Sequence, residues 1–169
     1  MIAELQNGGH ADHILVGCGP GSFTGLRVGI AAARALALGW EAAVSGYSSL
    51  ALLAAQAFAE APDSEAMDVV QHGGHGEYFV ETFIRAPFAA QAPVVSISPE
   101  AAAIRTFSEA VTGSAAAELV KSRGFGRAVF VTLSTRGLDQ LAAIHLDLPP
   151  TPLYVRGADA QPQSSAQPR

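Results

Sequence analysis

Apolar residues in the first sixty positions recur in short runs and helical stripes that predict alternating strands and helices. Residues 13–18 form an apolar run between polar and glycine residues, which is typical of a buried strand. A helix of small apolar residues is predicted at 24–39, a second strand at 42–46 and a second helix at 48–60. This order predicts an α/β fold in which some of the strands pair in parallel.

The pattern changes near residues 62–64, where the composition turns polar and a domain boundary is expected. Two strands at 67–71 and 77–84 are predicted to form a hairpin, because the glycines between them can adopt positive φ angles. The remaining predictions are strands at 94–97 and 129–133 and helices at 99–107, 115–121 and 136–145.

The composition indicates a globular intracellular protein. Of the 169 residues, 49% are hydrophobic and 15% are charged, which is enough apolar material for a real core. The net charge of −5, without a basic stripe, argues against direct nucleic-acid binding. Cys18 is the only cysteine, no signal peptide is visible, and the apolar run at 26–40 contains Arg27 and Arg34 and is too short to span a membrane. We therefore expect a cytoplasmic location.

A glycine-rich turn between the first strand and the first helix is the strongest local motif. Its defining residues are Gly19, Pro20, Gly21, Ser22, Thr24 and Gly25. Three interpretations are open: a tight turn capped by Ser22 or Thr24, a phosphate or nucleotide site at the helix start, or a nucleophilic serine. The second lacks the lysine of a P-loop and the third lacks the Gly-x-Ser-x-Gly frame.

Other candidate groups predict little chemistry. His72 and His75 have metal-ligand spacing, but no third ligand lies near them in sequence, so we expect an exposed hairpin tip and no metal. Cys18 is expected to be a small buried side chain, because no cation is adjacent to it in sequence. No carboxylate pair stands out as a general acid and base.

The first helix is apolar almost all round. Such a helix lies either inside a core or beneath another chain. Gly29 and Ala33, four residues apart, permit close approach of a neighbouring helix. The pattern alone leaves core and interface open.

Three stretches resemble the TsaB (YeaZ) family. They are Gly19-Pro20-Gly21-Ser22-Phe23-Thr24-Gly25-Leu26-Arg27-Val28-Gly29, then Val44-Ser45-Gly46-Tyr47-Ser48-Ser49-Leu50, and Pro152-Leu153-Tyr154-Val155-Arg156 with Ala158-Asp159-Ala160. The first stretch is long and specific, whereas residues 86–149 are generic.

This resemblance implies an actin-like and sugar-kinase-like (ASKHA) fold with two lobes. The first lobe would be residues 1–62, with 149–156 returning to it, and the second would be 63–148; residues 157–169 are expected to be a disordered tail. The family implies a scaffold without catalysis or cofactor, which binds a TsaD-type transferase that makes threonylcarbamoyladenosine in tRNA.

The same resemblance implies the partners and their contact surface. A TsaE-type ATPase would join the pair, a second copy of the chain could bind instead, and tRNA would be contacted only indirectly. Leu26, Ile30, Ala33 and Arg34, which share one side of the first helix, are assigned to the partner surface.

Two departures from the family pattern limit the inference. The apolar strand with an Asp-Thr pair, the hairpin and the helix start that open the family are largely absent, which is expected to leave a sheet edge exposed. An Asp-Ala-Arg-like stretch is replaced by residues 71–76, which weakens any nucleotide chemistry. The alternatives are a nucleotide-dependent ASKHA enzyme that uses the glycine turn for phosphate, and a peptidase, for which no nucleophile–base pair is visible.

Overall fold

A computed structural model of the chain describes residues 9–155. The predicted tail at 157–169 lies outside the described residues. The elements in chain order are β1 (His13–Gly17), α1 (Phe23–Trp40), β2 (Ala43–Tyr47), α2 (Ser49–Glu60), β3 (Ala66–His72), β4 (Tyr78–Ile84), β5 (Ala89–Ala90), β6 (Val95–Ile97), α3 (Pro99–Arg105), β7 (Ala110–Thr112), α4 (Ala116–Arg123) and β8 (Arg127–Val129).

The first sheet contains β1 and β2, which pair in parallel as predicted. Helix α1 connects the two strands and packs on both of them. The chain returns to this sheet near its end, where Gly46 and Leu148 exchange backbone hydrogen bonds of 2.7 and 3.1 Å. Within residues 9–155, β1 pairs with no strand other than β2.

The second sheet has the order β5-β4-β3-β7-β8, with β6 also paired to β4. Strands β3 and β4 form the antiparallel hairpin that the sequence predicted. Strands β3, β7 and β8 are parallel, so their carboxyl ends meet at one edge of the sheet. The predicted α/β class is confirmed.

Helix α2 supplies much of the main core. Ser48 caps it by accepting a hydrogen bond from the Ala51 N–H at 3.3 Å. Eight of its residues are buried: Leu50, Ala51, Leu52, Leu53, Ala54, Ala55, Ala57 and Phe58. They share one cluster with Met67, Val69 and Phe83 of the second sheet. The core therefore crosses the boundary predicted near residue 62, and the division into two lobes stays a prediction.

The secondary structure predicted for residues 129–145 was wrong. The predicted strand at 129–133 ends at Val129, and the predicted helix at 136–145 is two short 3₁₀ turns, Thr135–Gln140 and Ala143–His145. The reason is a long-range contact: Gln56 of α2 hydrogen-bonds the N–H and the carbonyl of Ser134. Gly137 also lies so close to Gln56 that a Cβ there would be 2.7 Å from Cγ.

A buried ion pair joins β3 to α4. Asp68 and Arg123 are 0% and 1% exposed, and Oδ2 of Asp68 lies 3.2 Å from Nη1 of Arg123. Asp68 also accepts hydrogen bonds from the Thr82 hydroxyl at 2.6 Å and the Ser108 N–H at 2.8 Å. These donors all belong to the protein. Because the carboxylate is buried, water cannot take the place of a partner that is removed.

Replacing Arg123 with methionine should lower the free energy of unfolding by about 3–5 kcal/mol, because it leaves the Asp68 carboxylate buried without its cation. Urea unfolding measures this change. Arg127→Met is the matched control, since within residues 9–155 the exposed Arg127 side chain hydrogen-bonds only the Ser64 hydroxyl, and this variant should cost less than about 1 kcal/mol. Equal losses in the two variants would contradict the assignment.

Desolvation raises the pKa of Glu81 from 4.5 to about 7. Its side chain stands opposite Val69 and lines a cavity together with Gln91 and Arg105. Because the folded-state pKa lies above the unfolded value, the folded protein binds more protons between pH 4.5 and 7. The contribution of Glu81 to the free energy of unfolding is therefore fully present below pH 4.5 and is lost as the pH rises through 7.

Between pH 5 and 7.5, the free energy of unfolding should fall with rising pH by on the order of 2 kcal/mol more in the wild-type chain than in Glu81→Gln. Chemical denaturation across that range measures the difference, and the comparison cancels the pH dependence that both proteins share. Parallel curves for the two proteins would rule out the raised pKa.

Candidate functional site

The glycine turn folds back onto the first helix. Gly19 has φ +98°, and a Cβ there would lie 2.7 Å from Cδ1 of Leu26. The Gly19 carbonyl accepts a hydrogen bond from the Ser49 N–H at 2.9 Å, which ties the turn to the start of α2. Pro20 follows Gly19 through a cis peptide bond. Glycine is required at position 19 by both the positive φ and the close approach of Leu26.

Ser22 is the N-cap of α1. Its hydroxyl accepts a hydrogen bond from the Gly25 N–H at 3.4 Å, and its carbonyl accepts one from the Leu26 N–H at 2.9 Å. Thr24 lies exposed in the first turn. One of the N–H groups that a bound phosphate would need is therefore already occupied. The geometry is that of a capped turn, the first of the three interpretations.

The burial of α1 corrects the predicted partner residues. Ile30 and Ala33 are only 4% and 7% exposed and share a buried stripe with Ala37, on the side where the helix packs on β1 and β2. Leu26 is half-buried on the same side, beneath the glycine turn. Ile30 and Ala33 therefore belong to the interior and Leu26 to its margin, because the spacing that these residues share also faces the chain's own sheet.

The opposite side of α1 is exposed and apolar. Val28 is 63% exposed and Leu38 is 86% exposed. We use the name outer face of α1 for the exposed residues on this side, which are Thr24, Val28, Ala31, Ala32, Ala35 and Leu38. A Cβ built at Gly29 or Gly39 would meet nothing within 4 Å, so the surface around this face is open. An apolar surface of this kind usually marks a contact with another molecule.

Arg34 and Arg27 lie on a flank of α1 and hydrogen-bond to Pro150 and Tyr154. Arg34 Nη2 donates to the Pro150 carbonyl at 2.9 Å, and Arg27 Nε donates to the Tyr154 hydroxyl at 2.8 Å. Arg27 also stacks over the Phe23 ring at 3.7 Å. Arg34, the fourth predicted partner residue, is exposed, but its guanidinium already donates a hydrogen bond within the chain.

Cys18 lies at the point where β1, β2 and the returning chain meet. It is fully buried, and its thiol donates to the carbonyls of Val16 and Pro149 at 3.6 Å. Burial raises the pKa of this thiol, which keeps it protonated and unreactive. A Cβ at Gly46 would lie within 2.3 Å of Sγ, so the glycine makes room for the cysteine.

His72 and His75 lie in and beside the hairpin turn, which is partly exposed as predicted. Within residues 9–155, no three histidine, cysteine or carboxylate side chains are grouped to hold a metal ion. His72 instead contacts Ser114 and Glu118, at 3.1 and 3.2 Å. The sequence carried no signal of this contact, because the partners are 42 and 46 residues away.

None of the described helices combines the length and the apolar character that crossing a bilayer requires.

Comparisons with known proteins match both the sequence and the fold. Residues 5–85 match the family model "TsaD: tRNA N6-adenosine threonylcarbamoyltransferase". No curated protein matches the chain. The fold is similar to that of YeaZ from Pseudomonas aeruginosa, with a TM-score of 0.68 and 22% identity over 85% of this chain and 74% of that one.

A second solved structure shares the fold equally well. It is a crystal structure of an uncharacterized protein with similarity to peptidase YeaZ from the same organism, with a TM-score of 0.67 and 22% identity over 86% of this chain and 74% of that one. The ASKHA-like fold predicted from the resemblance is confirmed, as is the resemblance to TsaB (YeaZ) proteins.

Replacing Ile30 with glutamate should unfold the protein or lower its unfolding free energy by more than about 3 kcal/mol, because a carboxylate would be buried against the sheet without a partner. Val28→Glu is the matched control: it lies two residues away on the outer face and should change stability by less than about 0.5 kcal/mol. Thermal unfolding measures both. A stable Ile30→Glu variant would show that Ile30 is not buried and would contradict this assignment.

Proposed function

We propose that the chain is a non-catalytic scaffold subunit that binds and supports a TsaD-type transferase in the threonylcarbamoyladenosine modification of tRNA. The observation that carries the proposal is the outer face of α1, an exposed apolar helix surface in a protein with a YeaZ-like fold. We assign this face, with Arg34 on its flank, to the contact with the transferase.

The match to the TsaD family supports a partner of the same fold. Residues 5–85 include α1, β2 and α2. The outer face of α1 therefore lies in the part of the chain that matches the transferase family. Two chains with similar folds can pair through equivalent helices with little redesign of either surface. A second copy of this chain could occupy the same face when the transferase is absent.

The composition of the outer face suits helix-to-helix contact. Alanines and nearby Gly29 and Gly39 allow a partner helix to approach closely, while Val28 and Leu38 supply larger apolar groups at the two ends. No residue of this face is charged, so burial in an interface costs no desolvation of ions.

The acidic net charge suits an accessory role in tRNA modification. A chain with net charge −5 and no basic stripe lacks the means to neutralise phosphates. We therefore propose that the transferase holds the tRNA and that a TsaE-type ATPase acts on the complex. This role requires no cofactor in the chain and is compatible with a cytoplasmic location.

The nucleotide-dependent alternative depends on the glycine turn. Ser22 takes the Gly25 N–H there, and Arg27 is engaged by Phe23 and Tyr154. These contacts disfavour the turn as a phosphate site. Calorimetric titration with Mg-ATP separates this alternative from the scaffold role, which predicts no heat of binding to the isolated chain.

Val28→Glu and Leu38→Glu should each weaken binding to the TsaD-type subunit of the same organism by at least about tenfold, because each places a charge in an apolar contact. Co-purification of the two subunits, followed by titration with a labelled chain, measures the loss. Circular dichroism establishes that both variants remain folded.

Ile104→Glu is the control for this experiment. Ile104 is 75% exposed on α3, so the same substitution is made on another element of the protein. This variant should bind like the wild type. Failure of the wild-type chain to bind, or loss of binding in Ile104→Glu alone, would refute the proposed surface.

A further inference from the structure

A serine, a histidine and a carboxylate meet at the edge of the second sheet, away from α1. His72 is the last residue of β3, and Ser114 follows β7 after Gly113. Because β3 and β7 are parallel neighbours, their carboxyl ends bring these two residues together. Such an edge is where α/β proteins commonly place reactive groups.

A sharp strand-to-helix turn presents Ser114. Gly113 has φ +111°, and a Cβ there would lie 2.2 Å from the Val70 carbonyl oxygen, so only glycine fits. Ser114 follows this glycine, just before α4, with its side chain exposed. The turn therefore holds the hydroxyl at the surface in a constrained position.

Hydrogen bonds order the three side chains. The Ser114 hydroxyl lies 3.1 Å from Nδ1 of His72 and accepts from the His72 backbone N–H at 2.9 Å. On the other side of the ring, Nε2 lies 3.2 Å from Oε2 of Glu118. The Tyr78 hydroxyl donates to the same carboxylate oxygen at 2.7 Å.

The charge on Glu118 decides which ring nitrogen of His72 carries the proton. The hydrogen bond from Tyr78, and then the one from His72, lower the pKa of Glu118. Burial and the contact with Glu118 raise the pKa of Tyr78 to about 12, so the phenol stays a donor. An ionised carboxylate only accepts hydrogen bonds, so neutral His72 donates from Nε2 and leaves Nδ1 to accept the Ser114 proton.

We propose that Ser114 is a nucleophile, with His72 as its general base and Glu118 as the positioning residue, in a second activity of this chain: hydrolysis of small acyl esters. The inference does not depend on the proposed scaffold role, because the residues involved lie on β3, the β7–α4 turn and α4. It also differs from the earlier nucleophile interpretation, which concerned Ser22.

The reaction has two balanced steps. His72 Nδ1 takes the hydroxyl proton as Ser114 Oγ attacks the ester carbonyl, and the imidazolium returns that proton to the departing alcohol, leaving an acyl-serine. Water then attacks the acyl-serine with His72 again as base, and the products are a carboxylic acid and free Ser114. No oxidant, reductant or metal is consumed.

The surroundings select the substrate class. The side chains of His72 and Glu118 are 48% and 62% exposed, so no deep pocket encloses the substrate. Esters with good leaving groups fit this setting better than peptides, which need tighter binding and protonation of a poor leaving group. The Glu118 carboxylate disfavours anionic acyl groups. The Ser114 N–H donates to Oε1 of Gln71 at 3.2 Å, so a movement of the Gln71 side chain would free this donor for the developing oxyanion.

The decisive experiment is covalent labelling of the full chain with an alkyl fluorophosphonate, followed by peptide mass spectrometry. The expected result is an adduct on Ser114 in the wild type, with labelling at least about tenfold slower in His72→Gln, which keeps the backbone N–H but lacks the base. An adduct on Ser22 or elsewhere, or no adduct, overturns the proposal.

Hydrolysis of p-nitrophenyl acetate provides the second readout. The kcat/KM should fall about tenfold or more in Ser114→Ala and by a smaller factor in Glu118→Gln, where the loss should lie in kcat with KM unchanged, because Glu118 positions the His72 ring without contacting the ester. Ser122→Ala removes an exposed serine of α4, the helix that carries Glu118, and this variant should match the wild type. Unchanged hydrolysis in folded Ser114→Ala would show that an exposed imidazole alone hydrolyses the ester, and would refute the serine's role.

Discussion

The burial of α2 against the second sheet is the interaction on which the rest of the structure depends. Eight of its twelve residues are buried, and they share one cluster with Tyr47 at the end of β2 and with Met67 and Phe83 of the hairpin. The start of α2 also binds the glycine turn through the Ser49 N–H. Its packing therefore positions the turn, and with it the start of α1.

The two long helices show how similar sequences acquire different roles. Both are rich in alanine and leucine, and both are apolar on more than one side. Within residues 9–155, eight of the twelve residues of α2 are buried, whereas the buried residues of α1 are the stripe of Ile30, Ala33 and Ala37. The outer face of α1 is thus the main apolar helix surface left for a partner, and this difference supports the scaffold role.

Two polar pairs illustrate what the tertiary fold adds around the second sheet. Asp68 of β3 meets Arg123 of α4 in the interior, and His72 meets Ser114 at the carboxyl edge of the sheet. Neither pair is visible in sequence spacing, because each joins residues more than forty positions apart. The first pair is enclosed and stabilises the fold, while the second is exposed and available for chemistry. Exposure, more than residue type, separates the structural pair from the reactive one.

The sequence by itself determined the order of β1, α1, β2 and α2, the β3–β4 hairpin and the resemblance to TsaB proteins, because period and turn residues are local properties. The side of α1 that faces the core was decided only by tertiary structure, since the helix is apolar all round and Ile30 fits either environment. The 3₁₀ turns near Gly137 and the grouping of Ser114, His72 and Glu118 likewise depend on contacts between distant segments. Such contacts produce no periodic pattern in the amino-acid sequence.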